Sequence, residues 1–200
     1  MRLLPVLSLI GLLAVSPLFG APQKNEYFTD TEIDLIRDAQ EIKVRVPVLF
    51  TLADRRLFFL GVKEKTDKQR EEDRKAREKL QKDAEKAAKA GGPKVTTPID
   101  PEAYLADFTK SELFRGYIEA LDEVMSNIDD AYERKFDVRE SLEGLEKFTN
   151  DTLPLLEKYT AKSNAEEGAL LDARDKTKEA RDAAREALTT VPKTEKKSTK

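Results

Sequence analysis

The chain has 200 residues, with 36 Lys and Arg against 39 Asp and Glu, and it contains no His and no Cys. Without Cys there is no disulfide framework, thiol nucleophile or iron–sulfur cluster, and without His there is no Ser-His-Asp triad or His-ligated metal. The net charge of −3 does not favour nucleic acid, which calls for a basic surface, and we predict neither a cofactor nor a metal.

Residues 1–20 have the pattern of a secretory signal peptide. A positive Arg2 precedes an apolar run over residues 3–15, and small or turn-forming residues follow up to Gly20. We predict cleavage after Gly20 and export of the mature chain, to the periplasm or out of the cell. The alternative is an uncleaved membrane anchor, which is disfavoured because two prolines interrupt a stretch barely long enough to span a bilayer. Only in that case would the chain contact a membrane.

Residues 21–62 predict a first helical segment. Thr29 and Glu32 have the spacing of a capping box, in which each side chain binds the free backbone N–H of the other. Pro47 predicts a kink or break near Val46, since proline removes a helical hydrogen bond, and Gly61 predicts the end of the helix. Apolar residues at alternating spacings of three and four indicate a face toward a core: Leu35, Ala39, Ile42, Val46, Leu49, Ala53 and Leu60.

Two consecutive phenylalanines, Phe58 and Phe59, follow a pair of arginines, Arg55 and Arg56. Consecutive residues cannot share one face of a helix. If Phe58 points outward, it marks a contact with a protein partner or a lipid, and the arginines lie beside it. The alternative is that the helix is buried on two sides within a bundle.

The block from residue 28 to residue 60 resembles segments of uncharacterised exported helical proteins of bacteria. The resemblance covers about a sixth of the chain and includes no catalytic motif. It therefore implies export and a helical fold, but no activity and no functional residues.

Residues 63–90 predict a charged, solvated helix, because 19 of these 28 residues are charged. Favourable pairs of Glu with Lys four residues later recur every seven residues: Glu64–Lys68, Glu71–Lys75, Glu78–Lys82 and Glu85–Lys89. The alternative is a basic surface that binds acidic partners, but the two signs of charge are interleaved and no field of one sign builds up. Residues 91–100 are predicted to be a loop.

Residues 101–191 predict a long helical hairpin. Thr109 and Glu112 have the spacing of a second capping box. Beyond them, apolar residues keep a three-four rhythm, interrupted only at Lys135, that predicts a rod of about 38 residues, roughly 57 Å long: Phe114, Tyr117, Leu121, Val124, Ile128, Ala131, Val138, Leu142 and Leu145.

A break is predicted over residues 148–152, because Asn150 and Asp151 favour turns and caps and Pro154 suits the first turn of a helix. A last helical block follows over residues 153–191. Residues 192–200, rich in lysine, are predicted to be a disordered tail.

These patterns predict an all-α protein, built as an antiparallel helical bundle or as long coiled-coil hairpins. We expect a non-enzymatic protein that acts in protein–protein interaction or as a scaffold of the cell envelope, with a protein partner or with a second copy. The alternative is a periplasmic holdase chaperone, whose charged helical arms would shield unfolded clients; this rests on architecture alone. A carboxylate-based enzyme is disfavoured, because pairs of acidic residues occur by chance in so acidic a chain.

Overall fold

The computed structural model describes residues 27–89 and 102–192, and these residues form six α-helices, one short 3-10 helix and no strand. The all-α prediction is therefore confirmed. The predicted signal peptide, the loop over 91–100 and all of the tail except Pro192 lie outside the described residues. The helices are α1 (Asp30–Asp38), α2 (Ile42–Leu60), α3 (Asp67–Lys89), α4 (Lys110–Glu133), α5 (Arg139–Lys158) and α6 (Asn164–Thr190), with the 3-10 helix at Ala103–Asp107.

Four of the helices form a bundle, in which α2, α4, α6 and α5 follow one another around a ring and α1 packs on α2. The neighbours α2 and α4 are antiparallel, as are α5 and α6, whereas α4 runs parallel to α6 and α2 runs parallel to α5. The antiparallel pairs are shown by Arg45 of α2 with Asn127 of α4 at 2.9 Å and by Arg185 of α6 with Glu146 of α5 at 3.0 Å. The parallel course of α4 and α6 is shown by Lys110 with Glu166 at 3.2 Å and by Asp122 with Lys176 at 2.8 Å. The parallel course of α2 and α5 is shown by Lys43 with Glu140 at 3.6 Å and by the stacked rings of Phe50 and Phe148.

The bundle consequently has two different ends. At one, which we call the arm end, α2 and α5 finish, α4 and α6 begin, and the chain departs into α3. At the other, the turn end, α4 passes into α5.

The core between the ends is apolar. Burial of each of its large side chains contributes about 1.5–3 kcal/mol to the free energy of unfolding. Five of these side chains have no exposed surface: Leu49, Leu57, Phe114, Leu121 and Leu156.

The first helical block divides at residues 39–41, so the predicted break near Val46 is wrong. The guanidinium of Arg45 fixes the actual division, since its Nε donates to the carbonyl of Ala39 at 2.8 Å and closes the end of α1. Pro47 lies within α2, at an exposed position. The predicted capping box of Thr29 and Glu32 is confirmed.

The end of α2 at Gly61 is also confirmed. Gly61 has a left-handed backbone, with φ 74°, and the N–H of Val62 bonds to the carbonyl of Leu57 at 3.0 Å. This pattern is a Schellman motif, in which glycine avoids the steric cost that a Cβ would add.

The predicted rod of about 38 residues is interrupted, because a turn separates α4 from α5 at residues 134–138. Lys135 adopts φ 64°, and the N–H of Phe136 bonds to the carbonyl of Ala131 at 2.9 Å, so this turn is a second Schellman motif. A lysine in a left-handed conformation carries no sequence signature comparable to glycine. The one interruption of the apolar rhythm, at Lys135, is therefore the position at which the chain reverses.

The predicted break over residues 148–152 is likewise wrong, since α5 runs through it to Lys158. Asp151 forms a salt bridge with Lys147 one turn earlier, at 2.6 Å, instead of capping a new helix. The N–H that Pro154 lacks would have bonded to the carbonyl of Asn150, and both residues are exposed, so water can satisfy that carbonyl. The chain breaks at residues 159–163 instead, where Ser163 caps α6.

The hydroxyls of Tyr117 and Thr177 form a buried hydrogen bond of 2.7 Å between α4 and α6. We expect Tyr117→Phe to lower the free energy of unfolding by about 0.5–1.5 kcal/mol, the usual net value of such a bond. The loss should not be larger, because the Thr177 hydroxyl also bonds to the carbonyl of Ala173 at 2.6 Å. Urea unfolding followed by far-UV circular dichroism measures the change. In a Thr177→Val background, the free energies of unfolding with Tyr and with Phe at position 117 should differ much less.

Helix α3 stands apart from the bundle and forms no extensive interface with its helices. Of its side chains that the structure describes, none is buried. Its first turns are held by Lys65, whose Nζ contacts Asp73 at 2.6 Å and Glu102 at 2.7 Å. We call Asp67–Lys89 the α3 arm.

Candidate functional site

Among the four residues predicted to contact a partner, Arg56 is buried, with 1% of its surface exposed. Its guanidinium binds both carboxylate oxygens of Glu32, at 3.0 and 2.8 Å, and donates to the carbonyl of Tyr27 at 2.5 Å. Arg56 therefore has no surface for a partner, and that part of the prediction is wrong. In the sequence, Arg56 lies three residues after Ala53 and four before Leu60, so it is the one polar residue in the apolar stripe, and this position was the signal of a buried ion pair.

Glu32 is the centre of this buried cluster. Its carboxylate also accepts from the Tyr104 hydroxyl at 2.6 Å and from the backbone N–H of Thr29 at 3.1 Å. Burial alone would raise the pKa of Glu32, but these donors and the charge of Arg56 outweigh burial and hold it below its ordinary value. Every strong acceptor site of the carboxylate is occupied, so the cluster is a structural connection of α1, α2 and the 3-10 helix.

We expect acid to remove the stabilisation that Glu32 contributes. Its pKa in the folded state lies below the ordinary 4.5, so this stabilisation is complete above the unfolded-state pKa and is lost as the pH falls through the folded-state pKa. The difference in free energy of unfolding between the natural chain and Glu32→Gln should therefore be smaller at pH 3 than at pH 7, measured by urea unfolding. An equal difference at both pH values would contradict the role given to the carboxylate charge.

Arg55 and Phe59 lie on the outer side of α2, away from the core. The exposed fraction of Phe59 is 46%, while Phe58 is partly buried, so Phe59 is the outward member of the pair. Residues at spacings of three and four align with Arg55 along this side of the helix. We call them the outer row of α2, in which Val48 and Arg55 are partly buried and Val48 also packs against the core: Val44, Val48, Thr51, Arg55 and Phe59.

Phe58 is covered by the segment between α2 and the α3 arm. The Nζ atoms of Lys63 and Lys65 lie 5.6 and 5.5 Å from the centre of its ring, within the range of a cation–π contact. Lys63 also pairs with Asp54 at 2.7 Å. Phe58 therefore attaches the segment that leads into α3 to the side of α2, and Phe59 alone of the two rings remains open.

A small cleft of about 200 Å³ separates α2 from the base of the arm, and Arg55 and Phe58 line it. Burial raises the pKa of Asp54 in this cleft, although Lys63 opposes the change. The Thr51 hydroxyl donates to the carbonyl of Pro47 at 2.9 Å, so it is not aligned with a base. Thr51 is therefore not a hydroxyl nucleophile paired with a base.

Within residues 27–89 and 102–192, no cluster of acidic side chains could hold a metal ion. No helix in the same ranges is both long enough and apolar enough to cross a membrane. Comparisons with protein-family models, curated proteins and solved structures found no match to this chain.

Proposed function

We propose that the protein is a non-enzymatic, exported interaction protein of the cell envelope, and that the outer row of α2 contacts its partner. The observation that supports this is the apolar character of that row: the exposed fractions of Val44 and Phe59 are 51% and 46%. A helix at the surface of a bundle ordinarily turns polar residues to solvent. An apolar outward side is typical of a helix that packs against something else.

The neighbouring helix α5 provides the contrast. Its exposed side is polar apart from Pro154, as expected for a helix that faces only water: Glu143, Lys147, Asn150, Asp151, Glu157 and Lys158. The two helices run parallel in the same bundle and differ in what they present to solvent. The apolar outer row therefore distinguishes α2 from α5.

Photo-crosslinking tests this contact. A photoreactive residue at Thr51, in the outer row, should give a distinct crosslinked product in cells that export the protein, whereas the same residue at Asn150 on α5 should not. The Thr51 product should weaken in a Val44→Ser/Phe59→Ser variant that folds normally by circular dichroism. Equal products at Thr51 and Asn150, or none at Thr51, would contradict the proposal; sedimentation velocity then shows whether the partner is a second copy.

Export itself is tested by fractionation and mass spectrometry of the full chain with a C-terminal tag, expressed in a bacterium. The envelope or medium fraction should contain a chain that begins at Ala21, since cleavage is expected after Gly20. An Ile10→Arg variant should stay in the cytosol at full length, because a charge interrupts the apolar run of the leader. A natural chain found at full length in the cytosol would contradict export.

A holdase chaperone is a second candidate, which is supported by the base of the α3 arm lying beside Thr51 and Arg55 of the outer row. A charged arm next to an apolar strip could shield an unfolded client while remaining soluble. Suppression of the aggregation of a reduced model client, at equimolar protein, is the expected result. No suppression, or equal suppression by the Val44→Ser/Phe59→Ser variant, would contradict this candidate and leave the interaction proposal to the crosslinking test.

A further inference from the structure

A second cleft, of about 420 Å³, opens at the arm end of the bundle, between the end of α2, the start of α4 and the segment after α5. Its volume lies within the range of about 300–1,000 Å³ that is usual for small-molecule sites. The apolar part of its wall is formed by Leu155 and by the exposed edges of Leu60 and Val62, which are otherwise buried in the core. We call this site the lysine cleft, after three of its other lining residues: Lys110, Lys158 and Lys162.

The lining of the lysine cleft contains three lysines and no acidic residue. This composition is unusual in a chain with more acidic than basic residues. Elsewhere on the bundle, lysines such as Lys43, Lys147 and Lys176 form salt bridges with acidic side chains. For Lys158 and Lys162, no acidic side chain in the described ranges lies within salt-bridge distance. Two of the three lysines of the cleft therefore carry a positive charge that no side chain of the described residues neutralises.

Lys110 differs from the other two because a buried carboxylate holds it in place. Its Nζ contacts the Tyr159 hydroxyl at 3.0 Å and Glu166 at 3.2 Å, and that hydroxyl donates to the same carboxylate at 2.6 Å. Glu166 has 4% of its surface exposed, and the backbone N–H of Lys162 also donates to it, at 2.9 Å. An ammonium has three donors, so Lys110 retains one for a ligand.

We propose that the lysine cleft binds an anionic amphiphile, namely a medium-length acyl chain with a carboxylate head. The carboxylate would take the third donor of Lys110, which Glu166 and Tyr159 leave open, and the ammonium groups of Lys158 and Lys162, which form no salt bridge within the described residues. The chain would lie on Leu60, Val62 and Leu155, where it is removed from water. A purely polar anion would leave the apolar wall exposed, and a neutral or cationic amphiphile would leave the positive charge without a partner.

Binding of decanoate to the full chain, measured by calorimetry below its micelle concentration, tests this site. Decanoate should bind at least tenfold more tightly than decanol, decyltrimethylammonium or acetate, and added salt should weaken it, because screening reduces attraction between charges. A Lys158→Glu/Lys162→Glu variant should lose at least tenfold in affinity. The matched control Lys79→Glu/Lys82→Glu carries the same change of net charge on the α3 arm and should bind as the natural chain does.

A second measurement needs no variant. Decanoate should protect Lys158 and Lys162 from acetylation in the natural chain, while Lys79 and Lys82 should be modified at an unchanged rate, as read by mass spectrometry. No decanoate binding, equal binding of decanol, or equal acetylation of all four lysines with and without decanoate would overturn the proposal. These outcomes are independent of crosslinking at the outer row of α2, so each proposal can fail without the other.

Discussion

Replacing Arg56 with leucine is expected to lower the free energy of unfolding by about 3–5 kcal/mol, because it leaves the carboxylate of Glu32 buried without its counter-charge. The substitution also removes the donor to the carbonyl of Tyr27 and so releases the chain that precedes α1. Urea unfolding followed by far-UV circular dichroism measures the loss. A decrease below about 1 kcal/mol would show that the buried pair does not carry the stability that we assign to it.

Two further variants distinguish the loss of the Arg56 charge from the loss of its packing as the cause of the lower stability. Arg55→Leu, at the neighbouring half-exposed position, should change stability by no more than about 0.5 kcal/mol. The double variant Glu32→Leu/Arg56→Leu should recover much of the loss, since no unpaired charge remains in the interior. A double variant no more stable than Arg56→Leu alone would indicate that packing, and not charge, dominates at this site.

Replacing Gly116 with alanine is the second prediction with a large effect, with an expected loss of about 1–3 kcal/mol, typical of overpacking. A Cβ at position 116 would overlap the guanidinium of Arg56 and would lie 3.2 Å from the carbonyl oxygen of Tyr27. The glycine lets the arginine pass between α2 and α4 to reach Glu32. Relief of the overlap would require movement of the buried ion pair itself.

Gly168→Ala is the matched control, because a Cβ at position 168 meets no atom within 4 Å. Glycine in the interior of a helix costs about 0.5–1 kcal/mol relative to alanine, so this variant should be more stable than the natural chain. The same substitution is thus expected to have opposite signs at two positions. Similar effects at both, measured by thermal and urea unfolding, would contradict the close approach that we describe at Gly116.

The sequence predicted the helical class and the buried faces well, because apolar residues that recur every three or four positions over a long stretch indicate a helix with one buried side. It placed the breaks poorly. Pro47 and Pro154 are tolerated inside helices because each lies on the exposed side, whereas the chain reverses at Lys135, which has no comparable signature. Whether a proline ends a helix depends on which side of the bundle it faces, and a single sequence does not state that.

The candidate sites were likewise only partly predictable from the sequence. For the Phe58–Phe59 pair, the sequence analysis considered Phe58 as the outward ring, whereas in the structure Phe59 is the more exposed of the two. The lysine cleft was missed, because its lysines come from the start of α4 and from the segment around the end of α5, about 50 residues apart in sequence. Only the parallel and antiparallel order of the helices brings them together, and no local spacing encodes that order.

The opposite ends of the bundle also determine how the molecule would be presented if it were tethered. The described chain starts with Tyr27 at the arm end, against Arg56, and finishes near Val191, whose carbonyl accepts from Arg139 at the turn end. Attachment of the molecule at Val191 would therefore orient the lysine cleft away from the support. Attachment at Tyr27 would turn the cleft toward it, so the choice of linkage decides which ligands a surface-based assay can detect.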